Sequence, residues 1–148
     1  MVETSSETKT PTKSARTRKR ILDAAAAEFR QAGYNARLVD IAERAGMQAG
    51  SLYYHFASRE ELVAEILQLG IATAFAQVRQ AVEELDGSDI ESDSRRRLET
   101  AIRAHTMAVL EQSDYASAQA KIVGQVPPDI AKAHKADQRS YGAYWNDL

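Results

Sequence analysis

The chain has 148 residues, 44% of them apolar and none cysteine, with 19 Lys/Arg against 21 Asp/Glu. That length fits one ordinary domain or two small ones and excludes a large multidomain enzyme, while the apolar share is enough for a packed core. The missing cysteines exclude disulfides, thiolate zinc sites and cysteine nucleophiles.

Residues 1–12 are rich in Ser, Thr, Glu and Lys, cannot bury a core, and are expected to form a disordered arm. They also lack the apolar block of a signal peptide. From Ser14 the pattern turns helical: Ile21, Leu22, Ala25, Ala26 and Phe29 recur at helical spacing, and Gly33 supplies a stop. A second short helix fits residues 38–45, where Leu38, Ile41, Ala42 and Ala45 share a face and Gly46 follows as a left-handed turn residue. A third fits residues 49–56, with Leu52, Tyr53 and Phe56 inward. Ser58-Arg59-Glu60-Glu61 has the hydroxyl-to-carboxylate spacing of a capping box and opens a long helix to about residue 85. Residues 86–94 read as a polar, acidic loop.

Residues 95–111 are helical again, with Leu98, Ile102, His105 and Val109 on one face. Ser113-Asp114 caps a helix over 115–123, and Pro127-Pro128 starts a last one carrying Ile130, His134, Tyr141, Trp145 and Leu148. There is no strand alternation, and no apolar run nears the ~20 residues that cross a bilayer. The expectation is an all-α, cytoplasmic protein with no membrane partner.

Charge is unevenly shared: residues 1–60 carry ten Lys/Arg against seven acids, residues 61–148 nine against fourteen. A basic first part suggests an anionic partner for it. Three short helices, the second and third joined by a Gly-bearing turn, describe a helix-turn-helix DNA-binding unit. A helix that enters the major groove must be short, held by a second helix, and flanked by groups that grip phosphates. In the third helix Leu52 and Phe56 point inward, leaving Gln48, Ala49, Ser51, Tyr54 and His55 more outward. Gln48 carries an amide able to bond a base edge twice, and Tyr54, His55 and Arg59 are donors for phosphates.

Residues 21–63, with DIAERAG at 40–46, GSLYYHF at 50–56 and SREEL at 58–62, resemble the DNA-binding domain of the TetR family of bacterial transcriptional regulators. The resemblance implies a homodimer that binds palindromic double-stranded operator DNA and represses transcription until a small molecule in the C-terminal helical domain releases it. It implies base contacts from Gln48, Ala49 and Ser51, and contacts to phosphates or thymine methyls from Tyr53, Tyr54 and His55. Arg59 matches a phosphate-holding position, Arg37 one that reaches the backbone or a base, and the basic run 13–20 an arm laid along DNA. The chain then divides into the arm (1–12), a helix-turn-helix domain (13–60) and a helical ligand-binding and dimerisation domain (61–148). That last domain is expected to lack the two final helices through which members dimerise, so a homodimer is expected where those helices are present. An inducer pocket is implied near His105, with Met107, Tyr115, Gln119, Tyr141 and Trp145 as candidate lining and a hydrophobic compound or an acyl thioester as ligand.

The chain departs from the family pattern in three places. Gln48 and Ala49 stand where Ser and a basic residue are common, the Thr before the second helix is absent, and the connection after Gly33 is one residue short. Asn35 is left as the N-cap of the second helix. These departures motivate the alternative of a helical small-molecule or protein-binding module that no longer reads DNA. His105 and His134 lie on different helices without a carboxylate pair at ligand spacing, so both are expected to stand in a pocket wall or the core, and no metal or cofactor is expected. The sequence has no Gly-rich phosphate loop and no G-x-S-x-G, so an enzyme is not expected.

Overall fold

A computed structural model describes residues 10–85 and 90–148; residues 1–9 of the expected arm and 86–89 of the expected acidic loop lie outside the described residues. Among the described residues every regular element is helical. Helix α1 (Lys13–Ala32) starts at Thr12, whose hydroxyl accepts from the Ala15 N–H at 3.1 Å. It stops at Gly33, where φ is 69° and a side chain would be strained. The chain then winds a single 3-10 turn (Gly33–Asn35) before α2 (Leu38–Arg44). That turn holds Asn35 two residues short of the cap position, so α2 is entered through Arg37 with no side-chain cap, not through Asn35 as expected.

Helix α2 ends as its Gly46 predicts. The Gly46 N–H donates to the Glu43 carbonyl and the Met47 N–H to the Ala42 carbonyl, both at 2.9 Å, with Gly46 at φ 70°. Helix α3 (Ala49–Leu52) is one turn, shorter than the expected 49–56. Beyond it the hydrogen bonding tightens: Tyr54 and His55 donate to carbonyls three residues back, on Ser51 and Leu52. The tightening swings Tyr53 off the inward face of Leu52 and Phe56, and it is 57% exposed.

Helix α4 (Arg59–Glu83) begins at Ser58, whose hydroxyl accepts from the Glu61 N–H at 3.1 Å. The Glu61 carboxylate reaches back to the Ala57 N–H at 2.7 Å, one residue earlier than in a standard capping box. By length and composition α4 resembles a membrane-spanning helix, but its apolar residues are taken up by two cores. Helix α5 (Ile90–Met107) starts earlier than expected, so residues 91–94 belong to it rather than to a loop. A π turn (Ala108–Gln112) follows, then α6 (Asp114–Ile122), capped by the Ser113 hydroxyl at 3.2 Å from the Ala116 N–H, and α7 (Pro128–Asn146).

The first core gathers Ile21 and Phe29 of α1, Ile41 of α2, Leu52 of α3 and Leu62, Val63, Ile66 and Leu67 of α4, and includes Ala118 and Ile122 of α6. The second gathers Ile71, Val78 and Val82 of α4 with Ala101, Ala108, Ala116 and Tyr141. Helix α6 therefore contributes to both. It reaches them because it lies hard against α4 at Gly70: a Cβ there would sit 2.3 Å from the Gln119 Cβ and 2.4 Å from the Tyr115 carbonyl oxygen. A polar seam joins α6 to α1. The Tyr115 hydroxyl donates to Asp23 at 2.6 Å, Arg30 pairs with Asp114 at 2.6 Å, and the Lys121 ammonium donates to the Arg30 and Gln31 carbonyls at 2.9 and 2.7 Å. Those two carbonyls belong to the last turn of α1, where a helix leaves acceptors without partners and favours a cation.

Gly70→Ala should test the contact. Alanine gains about 1 kcal/mol of helix propensity, but the clash involves backbone and costs more, so a net loss of about 1–2 kcal/mol is expected in urea unfolding. An unchanged or higher midpoint would mean that α4 and α6 do not approach this closely.

Candidate nucleic-acid interface

A four-residue helix does not hold itself together; α3 is kept in place by what surrounds it. Leu52 and Phe56 anchor it in the first core, and the Gly46–Met47 turn ties its start to α2. Two arginines complete the frame. The Arg18 guanidinium of α1 lies 4.1 Å from the centre of the Phe56 ring and donates to the His55 carbonyl and to Glu65 of α4. Arg59 donates to the Ala36 carbonyl at 2.7 Å and to the Tyr34 carbonyl, with its guanidinium 5.6 Å from the Phe29 ring centre and 5.2 Å from that of Tyr34.

The frame presents Gln48, Tyr53 and Tyr54 to solvent, Tyr54 at 90% exposure, while Ala49, Ser51 and His55 are half-buried. Ala49 also packs against the first core. Arg37 is exposed and holds Asp40 with two bonds of 2.8 and 2.7 Å, which keeps the Asp40 carboxyl below its usual range. Arg59 differs from its expected role as a free phosphate donor: its guanidinium turns inward because two backbone carbonyls before α2 need donors. Lys13, Arg16 and Arg20 are exposed on α1, and Lys19 pairs with Asp23 at 2.7 Å.

The six candidate pocket residues separate. His105, Tyr141 and Trp145 come together: His105 Nδ1 is 2.9 Å from the Tyr141 hydroxyl, and the Trp145 ring centre lies 5.9 Å from His105 and 5.8 Å from Tyr141. Phe75 joins them, 5.2 Å from Tyr141. Gln119 stands elsewhere, 3.3 Å from His134 Nε2. Tyr115 turns to α1, where burial and then the Asp23 carboxylate push its phenol far up. Burial also pushes Asp23 up, but the bonds from Lys19 and Tyr115 outweigh it and hold the carboxyl low. Met107 borders an open cleft of about 460 Å³ between α4 and α5, beside Gln77, Thr100 and Arg103. A second cleft of about 460 Å³ lies between α4 and α7, lined by Glu61, Glu65, His134 and Asp137. Among the described residues no group of three or more His, Asp or Glu is placed to hold a metal ion.

Sequence reasoning missed the inward turn of Arg18 and Arg59 and the part of Phe75. A signal was present for the arginines. Arg18, Leu22, Ala25 and Phe29 fall on one helical stripe, as do Arg59, Leu62 and Ile66, so both arginines extend a buried face.

Residues 21–66 match the family model for bacterial regulatory proteins, tetR family. The HTH-type transcriptional repressor KstR2 of Mycobacterium tuberculosis (strain ATCC 25618 / H37Rv) is 47% identical over 64 residues, which is 43% of this chain and 32% of that protein. The aligned part thus spans about a third of that relative's length. KstR2 of Mycolicibacterium smegmatis is 31% identical over 153 aligned positions, 94% of this chain and 73% of that protein. The crystal structure of the TetR family transcriptional regulator PfmR from Thermus thermophilus superimposes with a TM-score of 0.65 at 24% identity, covering 92% of this chain and 68% of that one. That last likeness shows the fold.

Burial holds the His105 and His134 imidazoles below their ordinary value of 6.5, for His134 against the opposing pull of Asp137. The unfolded chain then takes up protons first, so stability is full above about pH 6.5 and falls as pH drops toward the folded values. Thermal unfolding from about pH 7.5 to 5.5 should show a falling midpoint, with a flatter slope in His105→Phe/His134→Gln. An equal slope in the variant would show that neither histidine is kept neutral by burial.

Proposed function

The chain belongs to the tetR family of bacterial regulatory proteins, and on that premise we propose that it is a sequence-specific DNA-binding transcriptional regulator, a repressor released from its operator by a small molecule. The observation that carries this reading is α3 itself: one turn, anchored at both ends, with Gln48, Tyr53 and Tyr54 facing solvent. In this reading residues 13–60 form the DNA-binding unit and residues 61–148 the ligand-binding and dimerisation unit.

Gln48, with Ala49 and Ser51 beside it, faces the bases; its amide suits a bidentate bond to adenine. Tyr53, Tyr54 and His55 meet phosphates or thymine methyls, and Arg37 with the exposed basic residues of α1 lies along the backbone. Phosphate bonds set the register and base contacts discriminate. Two copies on a palindrome place two α3 helices about 34 Å apart, one helical turn of DNA. The ligand is a hydrophobic compound or an acyl thioester, with the apolar part against the wall of His105, Tyr141, Trp145 and Phe75. Helix α6 supports such coupling, since Ala116 packs in the core beside that wall and Ala118 and Ile122 pack under the DNA-binding helices.

Selection from a pool of random duplexes tests the reading. The selected duplex should lose affinity steeply with salt, because each neutralised phosphate releases counterions. Gln48→Ala should relax preference at one base pair, by about 1–3 kcal/mol. An unchanged preference would remove Gln48 from the base-reading set. No duplex binding even at low salt would favour the helical module that does not read DNA.

A further inference from the structure

Arg18 belongs to the basic run of α1, whose Lys13, Arg16 and Arg20 are exposed, yet its own side chain is only 35% exposed and its guanidinium is engaged by the protein. The guanidinium carbon lies over the Phe56 ring, 4.1 Å from its centre. One terminal nitrogen donates to the His55 carbonyl, the other to the Glu65 carboxylate, and Glu61 stands 3.8 Å away. Three elements thus converge on one side chain: α1 that bears it, the exit of α3, and the first turns of α4.

The exit of α3 needs such a partner. The helix has no side-chain cap at Gln48; the Ser51 and Leu52 carbonyls are taken by the Tyr54, His55 and Phe56 N–H groups, and the His55 carbonyl that follows takes its donor from Arg18. A planar fork can stack on an aromatic ring while donating to two acceptors in its own plane, which an ammonium cannot do. Glu65 and Glu61 hold the fork from the other side, so the exit of α3 is tied to the rigid α1–α4 pair. Tyr53 and Tyr54 are the residues just before the tethered carbonyl, and Gln48 stands one turn earlier.

We propose that Arg18 is a positioning residue for DNA reading: it fixes the pose of α3, and with it the direction in which Gln48, Tyr53 and Tyr54 project, and contributes no phosphate contact. The proposal rests on the DNA-binding reading above. It separates Arg18 from its basic neighbours by role, although all lie in one run of sequence.

The test uses the full chain with two probes, a duplex selected by the unaltered protein and a random-sequence duplex of equal length. The variants are Arg18→Met, Arg18→Lys, which keeps the charge and guards against loss of folding, and Arg16→Met. In both Arg18 variants the preference for selected over random duplex should fall, roughly tenfold, while the salt slope on the random duplex stays unchanged. Arg16→Met should do the reverse, lowering the slope by about one with the preference intact. A slope lowered by about one in Arg18→Met, with preference retained, would make Arg18 a phosphate contact and overturn the proposal. Unchanged preference in both Arg18 variants would overturn it equally. Should the unaltered protein bind neither duplex, the DNA-binding reading fails, and hydrogen exchange still decides the tether. Faster exchange of the His55 and Phe56 amides in Arg18→Lys, with α1 unaffected, supports it, and unchanged exchange refutes it.

Discussion

The absence of a side chain at Gly70 lets α6 lie against α4 with its Gln119 and Tyr115 atoms where a methyl group would have to be, and most of the architecture depends on that separation. At this distance Ile122 and Ala118 enter the core beneath α1, and both are fully buried there. Full burial of an isoleucine is worth about 1.5–3 kcal/mol. The exposed Arg30–Asp114 pair contributes at most about 1 kcal/mol. Apolar burial therefore holds α6 in place, and the seam of Tyr115, Arg30 and Lys121 sets its register along α1.

The same arithmetic explains why helices α1–α3 do not stand alone. Three helices over residues 13–52 give a small core, and domains of about 60 residues are already marginal. Here that core is completed from outside by Leu62, Val63, Ile66 and Leu67 of α4 and by Ile122 of α6. The two inward arginines serve the same end. Arg59 supplies donors to the carbonyls leading into α2, and Arg18 to the carbonyl leaving α3. Between them they satisfy backbone groups at both ends of the helix-turn-helix, where an unpartnered acceptor costs about 1–3 kcal/mol.

Much of this was legible in residue pattern. Gly33, Gly46, Ser58, Ser113 and Pro128 marked helix ends through their own conformational and capping chemistry, and the apolar stripe of α1 is the one observed. The errors fall where tertiary contacts override local signals. Asn35 is a good cap in isolation, but the 3-10 turn after Gly33 holds it short of the position. Residues 49–56 have helical spacing, yet the chain tightens after Leu52 as Phe56 enters the core. The candidate pocket residues have side chains of the type that lines a cavity, and type does not say which face a residue takes. Tyr115 found Asp23 across 92 residues of sequence, and Met107 an open cleft, while His105, Tyr141 and Trp145 met. Charge misled in the basic run as well, because a cation on an apolar stripe reads as surface until its carbonyl partner is visible.

Native-state hydrogen exchange, followed residue by residue in low denaturant, tests most directly whether α6 and the helix-turn-helix are one structural unit. If they are, the amides of α6 around Ala118 and Ile122 will exchange with the same opening free energy and denaturant dependence as those of α1 around Phe29 and α4 around Ile66. Exchange of α6 at a distinctly lower free energy, with α1 and α4 still protected, would contradict that unity.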